Sequence, residues 1–475
     1  TGRQIVQTRN RRPTPAPAPA AAAAPASFVG RDDSVAALHE ALNAAAGGVR
    51  IVLVHGEPGI GKTRLLDEFL TTVASRGSRA IKGTAIQCRW GHPYAPWIEA
   101  LAKIAPVTVG RAGQTDLPEI LASINGGGSE VQGRQSLFAG VDRAVADLAA
   151  GGAPAVVVLD DVHWLDEASV ELLHHTVHAN AHAPILVLLA GRSGQMHDNE
   201  PLQEAMRSFR REGRLEEIEM APLAADSVTA LAGTIARDVD AEQVFAGSGG
   251  NPLIAIEIAR ALDRGRITES RTLADLIRDR IDVLPDGVAE ILRWCSVLGE
   301  QVDLDTIDRA LPHAPAQTAD AIEVLMRHGI LRAACDPAGP PGYRFAHNVF
   351  RQIAYADMSE PRRRLMHRHI AHALSADDAT DPAATAFHAA MAGDGAMAAR
   401  ACVTAGRNCI RQFANGEAEE LARRGLHYVE GLRGTERLKL SIELLEVSLA
   451  ARKPDDPESM ARSLRDLADQ ALDLG

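Results

Sequence analysis

The segment from Arg50 to Leu66, RIVLVHGEPGIGKTRLL, limits the possible folds more than any other part of the chain. Its apolar run, Ile51 to Val54, predicts a strand that is buried on both faces. The run breaks at Gly56, and a helix is predicted to open at Gly61-Lys62-Thr63. The spacing fits the phosphate-binding pattern G-x-x-x-x-G-K-[ST] at every fixed position. The alternative is a Gly-rich turn between a strand and a helix that binds nothing.

The residue types in this loop match the chemistry of a nucleotide site. Glycines let backbone N–H groups curl around phosphate oxygens, and the N-terminus of the helix adds a favourable partial charge. We expect Lys62 to reach the β- and γ-phosphates and the Thr63 hydroxyl to bind Mg²⁺. The nucleotide contacts predicted from this loop are Gly56, Gly59, Ile60, Gly61, Lys62, Thr63 and Arg64.

Two later apolar runs end in charged residues. The run Ala155 to Leu159 ends in Asp160-Asp161, and catalytic groups of open α/β sheets gather at the carboxyl ends of the strands. We expect Asp160 to hold Mg²⁺ through water and Asp161 to orient or deprotonate an attacking water. Arg192, at the end of the run that starts at Pro184, is predicted to contact the γ-phosphate. Polar strand ends without these roles are the alternative.

The order of the predicted elements indicates a parallel sheet followed by helical domains. Strands alternate with helices over residues 50–220, and the strand signal then disappears until a short hairpin near residues 330–346. The predicted fold class is α/β plus all-α. The predicted domains are a Pro/Ala-rich linker (1–27), a P-loop NTPase core (28–222), a helical lid (223–283), a winged-helix domain (284–375) and truncated tetratricopeptide-like repeats (376–475).

Composition narrows the class of protein further. Aromatic residues make up only 4% of the 475 residues, so the cores must be mostly Ala, Leu, Val and Ile. The net charge of −12 argues against non-specific binding of nucleic acid by the whole chain. An odd number of scattered cysteines predicts free thiols in a reducing compartment: Cys88, Cys295, Cys335, Cys402 and Cys409.

Neither a membrane span nor a secretory signal is evident. No apolar run approaches the ~20 residues that a spanning helix needs, so we expect a cytoplasmic protein with no membrane partner. The chain begins at Thr1 and stops at Gly475 within a helical pattern. We therefore expect a piece of a longer protein.

Several short motifs occur in an order that is similar to a known protein class. They are FVGRDDSVAAL, GEPGIGKTRLL, PYAPWIEAL, VVVLDDVHWLDEAS, LLAGRSG, GGNPLIAIEIARAL and RFAHNVFRQIAY. Over about residues 28–450 the chain resembles the STAND class of signal-transduction ATPases. It looks most like the ATPase and repeat part of large bacterial transcription regulators of the LuxR (LAL) or SARP type.

The resemblance implies further contacts with ATP or ADP. It implies that Val29, Gly30 and Arg31 lie beside the adenine and ribose, and that Pro252 packs on the base from the lid. His347 corresponds to a residue that touches the β-phosphate of ADP in related switches, although a packed core histidine fits the sequence equally well. The acidic pair here is Asp-Asp, where many ATPases have Asp-Glu. A shorter base is compatible with slow hydrolysis.

Two other groups of residues are candidates for function. His174, His175, His178 and His182 lie on or near one predicted helix, but no acidic residue or cysteine sits at ligand spacing, which favours a solvated face over a metal site. A basic segment marks the predicted winged helix and carries Arg362, Arg363, Arg364 and Arg368. It is a candidate DNA contact, although a domain placed between lid and repeats is better suited to sensing nucleotide.

The leading functional hypothesis is a nucleotide-controlled switch. ADP would hold the lid and winged helix closed on the core, and ATP would open the chain and permit self-assembly. An inducer or protein ligand on the repeats would promote the exchange, hydrolysis would be slow, and DNA would be bound through a domain outside this chain. The alternatives are a working ATPase, DNA binding by the chain's own winged helix, and the regulatory half of a nucleotide-cyclase or kinase signalling protein.

Overall fold

The P-loop strand lies inside a parallel sheet in the computed structural model. The structure describes residues 28–86, 93–102, 130–236, 239–263, 272–299, 301–302, 304–311, 315–334, 342–376, 380–451, 462 and 465. Several predicted features lie wholly or mostly outside these residues: the linker at 1–27, the hairpin turn at 337–342, the end of the predicted repeats after residue 451, and the thiols Cys88 and Cys335.

The first part of the chain alternates strands with helices, as the sequence predicts. Its elements are α1 (Asp32–Ala44), β1 (Arg50–Gly56), α2 (Lys62–Ser75), β2 (Ala80–Thr84), α3 (Ala95–Ala102), α4 (Glu130–Ala149), β3 (Ala155–Asp160), α5 (Glu167–Ala179), β4 (Ile185–Arg192), α6 (Glu200–Arg211) and β5 (Leu215–Glu219). The five strands are parallel in the order β2-β3-β4-β1-β5.

Helices cover both faces of this sheet, and β1 shows why its sequence is apolar throughout. Ile51 and Leu53 pack into the core on one face, whereas Val52 and Val54 pack into the core on the other. Side chains alternate between the two faces of a strand, so a strand covered on both sides needs an apolar residue at every position. Because β1, β3 and β4 are parallel, the P-loop and the carboxyl ends of β3 and β4 lie at the same edge of the sheet.

The rest of the described chain is mostly helical. Its elements are α7 (Ala225–Ile235), α8 (Ala241–Ser248), α9 (Pro252–Asp263), α10 (Leu273–Asp282), α11 (Asp286–Leu298), β6 (Gln301–Val302), α12 (Leu304–Ala310), α13 (Pro315–Arg327), β7 (Leu331–Ala334), β8 (Gly342–Phe345), α14 (Asn348–Ala356), α15 (Glu360–Ser375), α16 (Pro382–Ala392), α17 (Gly395–Arg411), α18 (Asn415–Val429) and α19 (Gly434–Ala451). The parallel sheet and this helical region confirm the predicted fold class.

The second sheet differs from the predicted hairpin by one strand. β7 and β8 pair antiparallel as expected, and the two-residue strand β6 pairs with the free edge of β8. A strand this short has no periodic signal in the sequence. The boundaries of the lid, the winged helix and the repeats stay predictions.

The helices after residue 380 approach one another closely because small residues lie at their contacts. A Cβ on Gly425 would lie 2.3 Å from Leu444 Cδ2, and one on Gly406 would lie 2.6 Å from Val447 Cγ1. Their core is continuous with the core on one face of the parallel sheet. Cys402 and Cys409 are buried free thiols in these helices, and Cys295 is a buried free thiol on α11. Among the described residues no helix is long and apolar enough to cross a membrane.

We expect Gly83→Ala to destabilise the sheet core. A Cβ at Gly83 would lie 1.8 Å from the carbonyl oxygen of Pro96, so β2 and α3 must move apart, at a cost of about 3 kcal/mol, the upper end of overpacking. Calorimetry should show a lower temperature for the unfolding transition of this part. Gly47→Ala is the matched control, because no atom lies within 4 Å of its added Cβ. Equal melting of the two variants would contradict the prediction.

Candidate nucleotide-binding site

The phosphate-binding loop joins β1 to α2 with the backbone that the pattern requires. Gly59 and Gly61 have φ angles of 79° and 103°, in the left-handed region that residues with a Cβ rarely adopt. A Cβ on Gly61 would meet no atom within 4 Å, so the loop is open on that side. α2 begins at Lys62, so the free N–H groups of its first turn and the positive end of the helix dipole lie at the loop. The loop has the form of an anion site.

Lys62 is the charged residue at the centre of the loop. It is 8% exposed, and its Nζ donates to the carbonyl oxygens of Gly56 and Glu57, each at 2.9 Å. Burial lowers the pKa of Lys62 to about 8; Asp161 and Asp160 oppose this shift, whereas Arg192 adds to it. The structure therefore brings Lys62, Asp160, Asp161 and Arg192 together.

The two acidic residues at the end of β3 have different environments. Asp160 is 2% exposed; its Oδ1 accepts from the Asp161 N–H at 3.0 Å, and its Oδ2 lies 3.4 Å from Lys82 Nζ. Asp161 is half-buried and takes a left-handed backbone with φ of 53°. A hydroxyl from Thr63 and a carboxylate from Asp160 are the oxygen donors that Mg²⁺ prefers, so the residues present fit that ion.

His163 lies beside these acids and was not identified from the sequence. It is 5% exposed, and its Nδ1 lies 3.9 Å from Asp161 Oδ1. Burial, and then the cations Arg192 and Lys62, lower its pKa to about 3, so the ring is neutral and no ion pair forms. The sequence signal was the polar residue in the apolar stretch VHWL. A neutral imidazole there adds a polar group without adding charge.

The predicted lid is docked directly on the loop. Asn251 Nδ2 donates to the carbonyl oxygen of Pro58 at 3.0 Å, and Asn251 Oδ1 accepts from the Leu253 N–H at 3.1 Å. A Cβ on Gly59 would lie 2.9 Å from Leu253 Cβ, which shows how closely the two segments approach. Pro252 is the first residue of α9, where its missing N–H costs nothing. The segment GGNP thus holds the lid against the loop.

The segment before α1 joins the same contact. Arg31 donates to the carbonyl oxygens of Ala221 at 2.6 Å and Ile60 at 3.1 Å. Val29 packs on the core of the lid, and a Cβ on Gly30 would lie 2.2 Å from Ser227 Oγ. The structure therefore groups the predicted residues Val29, Gly30 and Arg31 with the loop and the lid.

His347 lies farther along, at the start of α14. Its ring is solvent-accessible but surrounded by charged residues of the lid and the hairpin, namely Glu257, Arg260, Arg280 and Arg332. The enclosing protein and the three arginines lower its pKa. The charges that act on it are not those of the P-loop, so the structure associates His347 with the lid. The carboxylates of Asp67 and Asp160 instead act electrostatically on Arg332, which lies on β7.

The other candidate groups are occupied by internal contacts. His178 bonds to the His174 carbonyl oxygen at 2.7 Å and to Glu212 at 3.0 Å, and His175 bonds to Asp142 at 2.8 Å. Within the described ranges no cluster of three or more metal-binding side chains occurs. In the basic segment, Arg362 pairs with Glu290, Arg364 pairs with Glu360 at 2.8 Å, and Arg363 lies over the Tyr355 ring.

We expect nucleotide affinity to fall as the pH rises through the pKa of Lys62. The ammonium form attracts phosphate, and with a pKa of about 8 it is lost above that pH. The dissociation constant for ADP should rise up to tenfold between about pH 8 and pH 9. Titration calorimetry at each pH measures this dissociation constant. Lys62→Arg is the control, because its guanidinium stays charged and its dissociation constant should not change with pH. Identical profiles for the two proteins would contradict the prediction.

We expect Asn251→Asp to loosen the lid. The carboxylate keeps the acceptor for Leu253 N–H but loses the donor to Pro58 and repels its carbonyl oxygen. Hydrogen exchange at the start of α9 should become about tenfold faster, which corresponds to one lost hydrogen bond. Asn415→Asp, an exposed change in α18, is the control. Unchanged protection in α9 would show that the Pro58 contact does not hold the lid.

Comparison with known proteins supports an ATPase domain of this type. A family model described as "AAA ATPase domain" matches residues 27–188. An uncharacterized protein of Rhizobium meliloti (strain 1021) is 25% identical over 424 residues, which cover 80% of this chain and 40% of that protein. The chain thus spans less than half the length of this curated relative.

Solved structures similar to the chain include the following three proteins. A STAND protein with a tetratricopeptide repeat sensor from Pyrococcus horikoshii is 12% identical, with a TM-score of 0.45 over 95% of this chain and 72% of that one. DnaA from Aquifex aeolicus with bound AMPPCP is 14% identical, with a TM-score of 0.35 over 64% and 87%. RuvB from Thermotoga maritima is 18% identical, with a TM-score of 0.29 over 70% and 97%. These TM-scores are too low to carry a functional argument, so the P-loop ATPase domain stands on the family match and on the loop, Lys62 and Asp160.

Proposed function

We propose that the chain is a switch operated by ATP and ADP. The observation that carries this proposal is the contact of the GGNP segment with the phosphate loop, through Asn251 and Pro58 at 3.0 Å. A nucleotide bound by Lys62 lies next to that contact, so its phosphates bias whether the lid stays docked. A ligand shifts such an equilibrium only by its differential affinity for the two states.

The roles of the site residues follow the site geometry. Lys62 and the loop glycines bind phosphate; Thr63 and Asp160 hold Mg²⁺; Asp161 orients or deprotonates water; and Arg192 contacts the γ-phosphate. Val29, Gly30, Arg31 and Pro252 enclose the base and ribose. Bound Mg²⁺ supplies positive charge that stabilises the phosphate oxygens. His347 lies at the start of α14, beside the hairpin and the charged residues of the lid. In this proposal it senses whether the lid and the hairpin are closed on the core.

In this proposal ADP favours the docked state, and ATP releases the lid and hairpin and exposes surfaces for self-assembly. Hydrolysis acts as a slow timer, and a protein or small-molecule inducer on the repeats favours exchange. The whole protein is a bacterial transcription regulator whose DNA-binding domain lies outside this chain. The regulatory half of a cyclase or kinase signalling protein is the alternative for the whole protein.

Lys62→Ala tests the switch. Loss of the Lys62 ammonium should weaken nucleotide binding about 100-fold, which is the effect expected for a pair of charge-assisted hydrogen bonds. It should also abolish ATP-dependent assembly. Light scattering after size exclusion, with ATP or ADP present, measures the assembly. Lys439→Ala, at an exposed position of α19, should behave as the wild type. Normal ATP-dependent assembly by Lys62→Ala would overturn the proposal.

Phosphate release separates a switch from a working ATPase. A timer should turn over more slowly than about 1 s⁻¹, the low end of ordinary enzymes, and Asp161→Ala should abolish the remaining turnover. DNA, peptides and nucleosides can be added in turn as candidate substrates. Fast turnover with any of them would favour the working ATPase over the switch.

A further inference from the structure

Lys82 is a basic residue in an otherwise apolar strand next to the candidate Mg²⁺ site. It lies on β2, which pairs with β3, the strand that ends at Asp160. Its Nζ lies 2.6 Å from Asp67 Oδ1 on α2 and 3.4 Å from Asp160 Oδ2. Its side chain is 19% exposed and that of Asp160 is 3% exposed, so water screens their attraction poorly.

We propose that Lys82 is a built-in competitor of Mg²⁺ for Asp160. This inference rests on the proposed function, in which Asp160 and Thr63 hold the ion. A buried carboxylate needs a cation, and Lys82 supplies one when no divalent ion is present. A divalent ion at Asp160 repels the ammonium, so Mg²⁺ binds only as Lys82 gives up this contact.

Asp67 gives the displaced ammonium a place to remain. It lies on the first turns of α2, it is 47% exposed, and it is already the nearer of the two partners of Lys82. Lys82 can therefore leave Asp160 and still keep the counter-charge of Asp67. The exchange of cations at Asp160 needs a small movement of one side chain rather than the opening of the sheet.

A second cation, on the hairpin, lies within electrostatic range of the same two acids. The pKa of Arg332 on β7 is lowered by burial and by Arg344, while Asp67 and Asp160 act on it in the opposite direction. The hairpin therefore contributes positive charge where the divalent ion would bind. Lys82 differs from Arg332 in being part of the sheet itself, so its competition persists when the hairpin moves away.

The test measures the concentration of divalent ion that half-saturates the full chain in the presence of saturating ADP. Bound Mn²⁺ is followed by electron paramagnetic resonance, and Mg²⁺ is titrated against it as a competitor. Lys82→Met keeps the length of the side chain and removes the charge. It should lower the half-saturating concentration of either ion about tenfold, between the effects of an exposed and a buried ion pair.

Asp67→Asn should have the opposite effect, because it removes the nearer carboxylate and Lys82 then competes more strongly for Asp160. This variant also decides the matter if Lys82→Met fails to fold. Lys439→Met should match the wild type. An unchanged half-saturating concentration of divalent ion in Lys82→Met or Asp67→Asn, in a variant that still binds fluorescent ADP, would overturn the proposal for Lys82. The proposed function would still stand. A wild-type chain that binds no nucleotide would overturn both.

Discussion

Lys62 and Asp160 lie almost out of water at the carboxyl edge of the sheet, and each needs a partner there. Burying an unpaired charge is costly, so the chain must supply opposite charge or dipoles from its own residues. Lys62 uses the carbonyl oxygens of Gly56 and Glu57, and Asp160 uses Lys82 and the N–H of Asp161. These contacts require that β1 and β3 end, and α2 begins, where they do. They also leave the site charged and ready to exchange its internal partners for phosphate and a cation.

Three segments outside the sheet interact with the sheet domain through polar or charged groups. The segment before α9 contributes Asn251, the hairpin contributes Arg332, and α18 contributes Glu417, whose Oε1 accepts from the Ala168 N–H at 3.2 Å. Glu417 lies next to the carboxylate of Asp166, and burial and this neighbour raise the pKa of Glu417 above its usual value. These three segments therefore meet the sheet domain through polar or electrostatic interactions as well as apolar packing.

Local motifs predicted the centre of the site, and non-local pairing determined the rest. The loop, Asp160-Asp161 and Arg192 follow apolar runs along the chain, and parallel strands bring their ends together whatever the order of the strands. Lys82 acquires its place only because β2 pairs with β3, and Arg332 only because the hairpin folds back toward the core. A lysine inside the strand AIKGT was the available signal for Lys82. Nothing in the local sequence signals the two-residue strand β6.

The energies of these contacts indicate how such a chain can change state. Moving a two-state equilibrium from 1:99 to 99:1 takes about 5.5 kcal/mol of differential binding. One hydrogen bond of the Asn251 kind contributes only about 1 kcal/mol, so no single lid contact can hold or release the closed form. The bias must be the sum of the lid contacts and of the charges around Asp160, where one added divalent ion acts on Lys82 and Arg332 together. In the proposed switch, the sheet edge would therefore couple the bound ion to the segments packed around it.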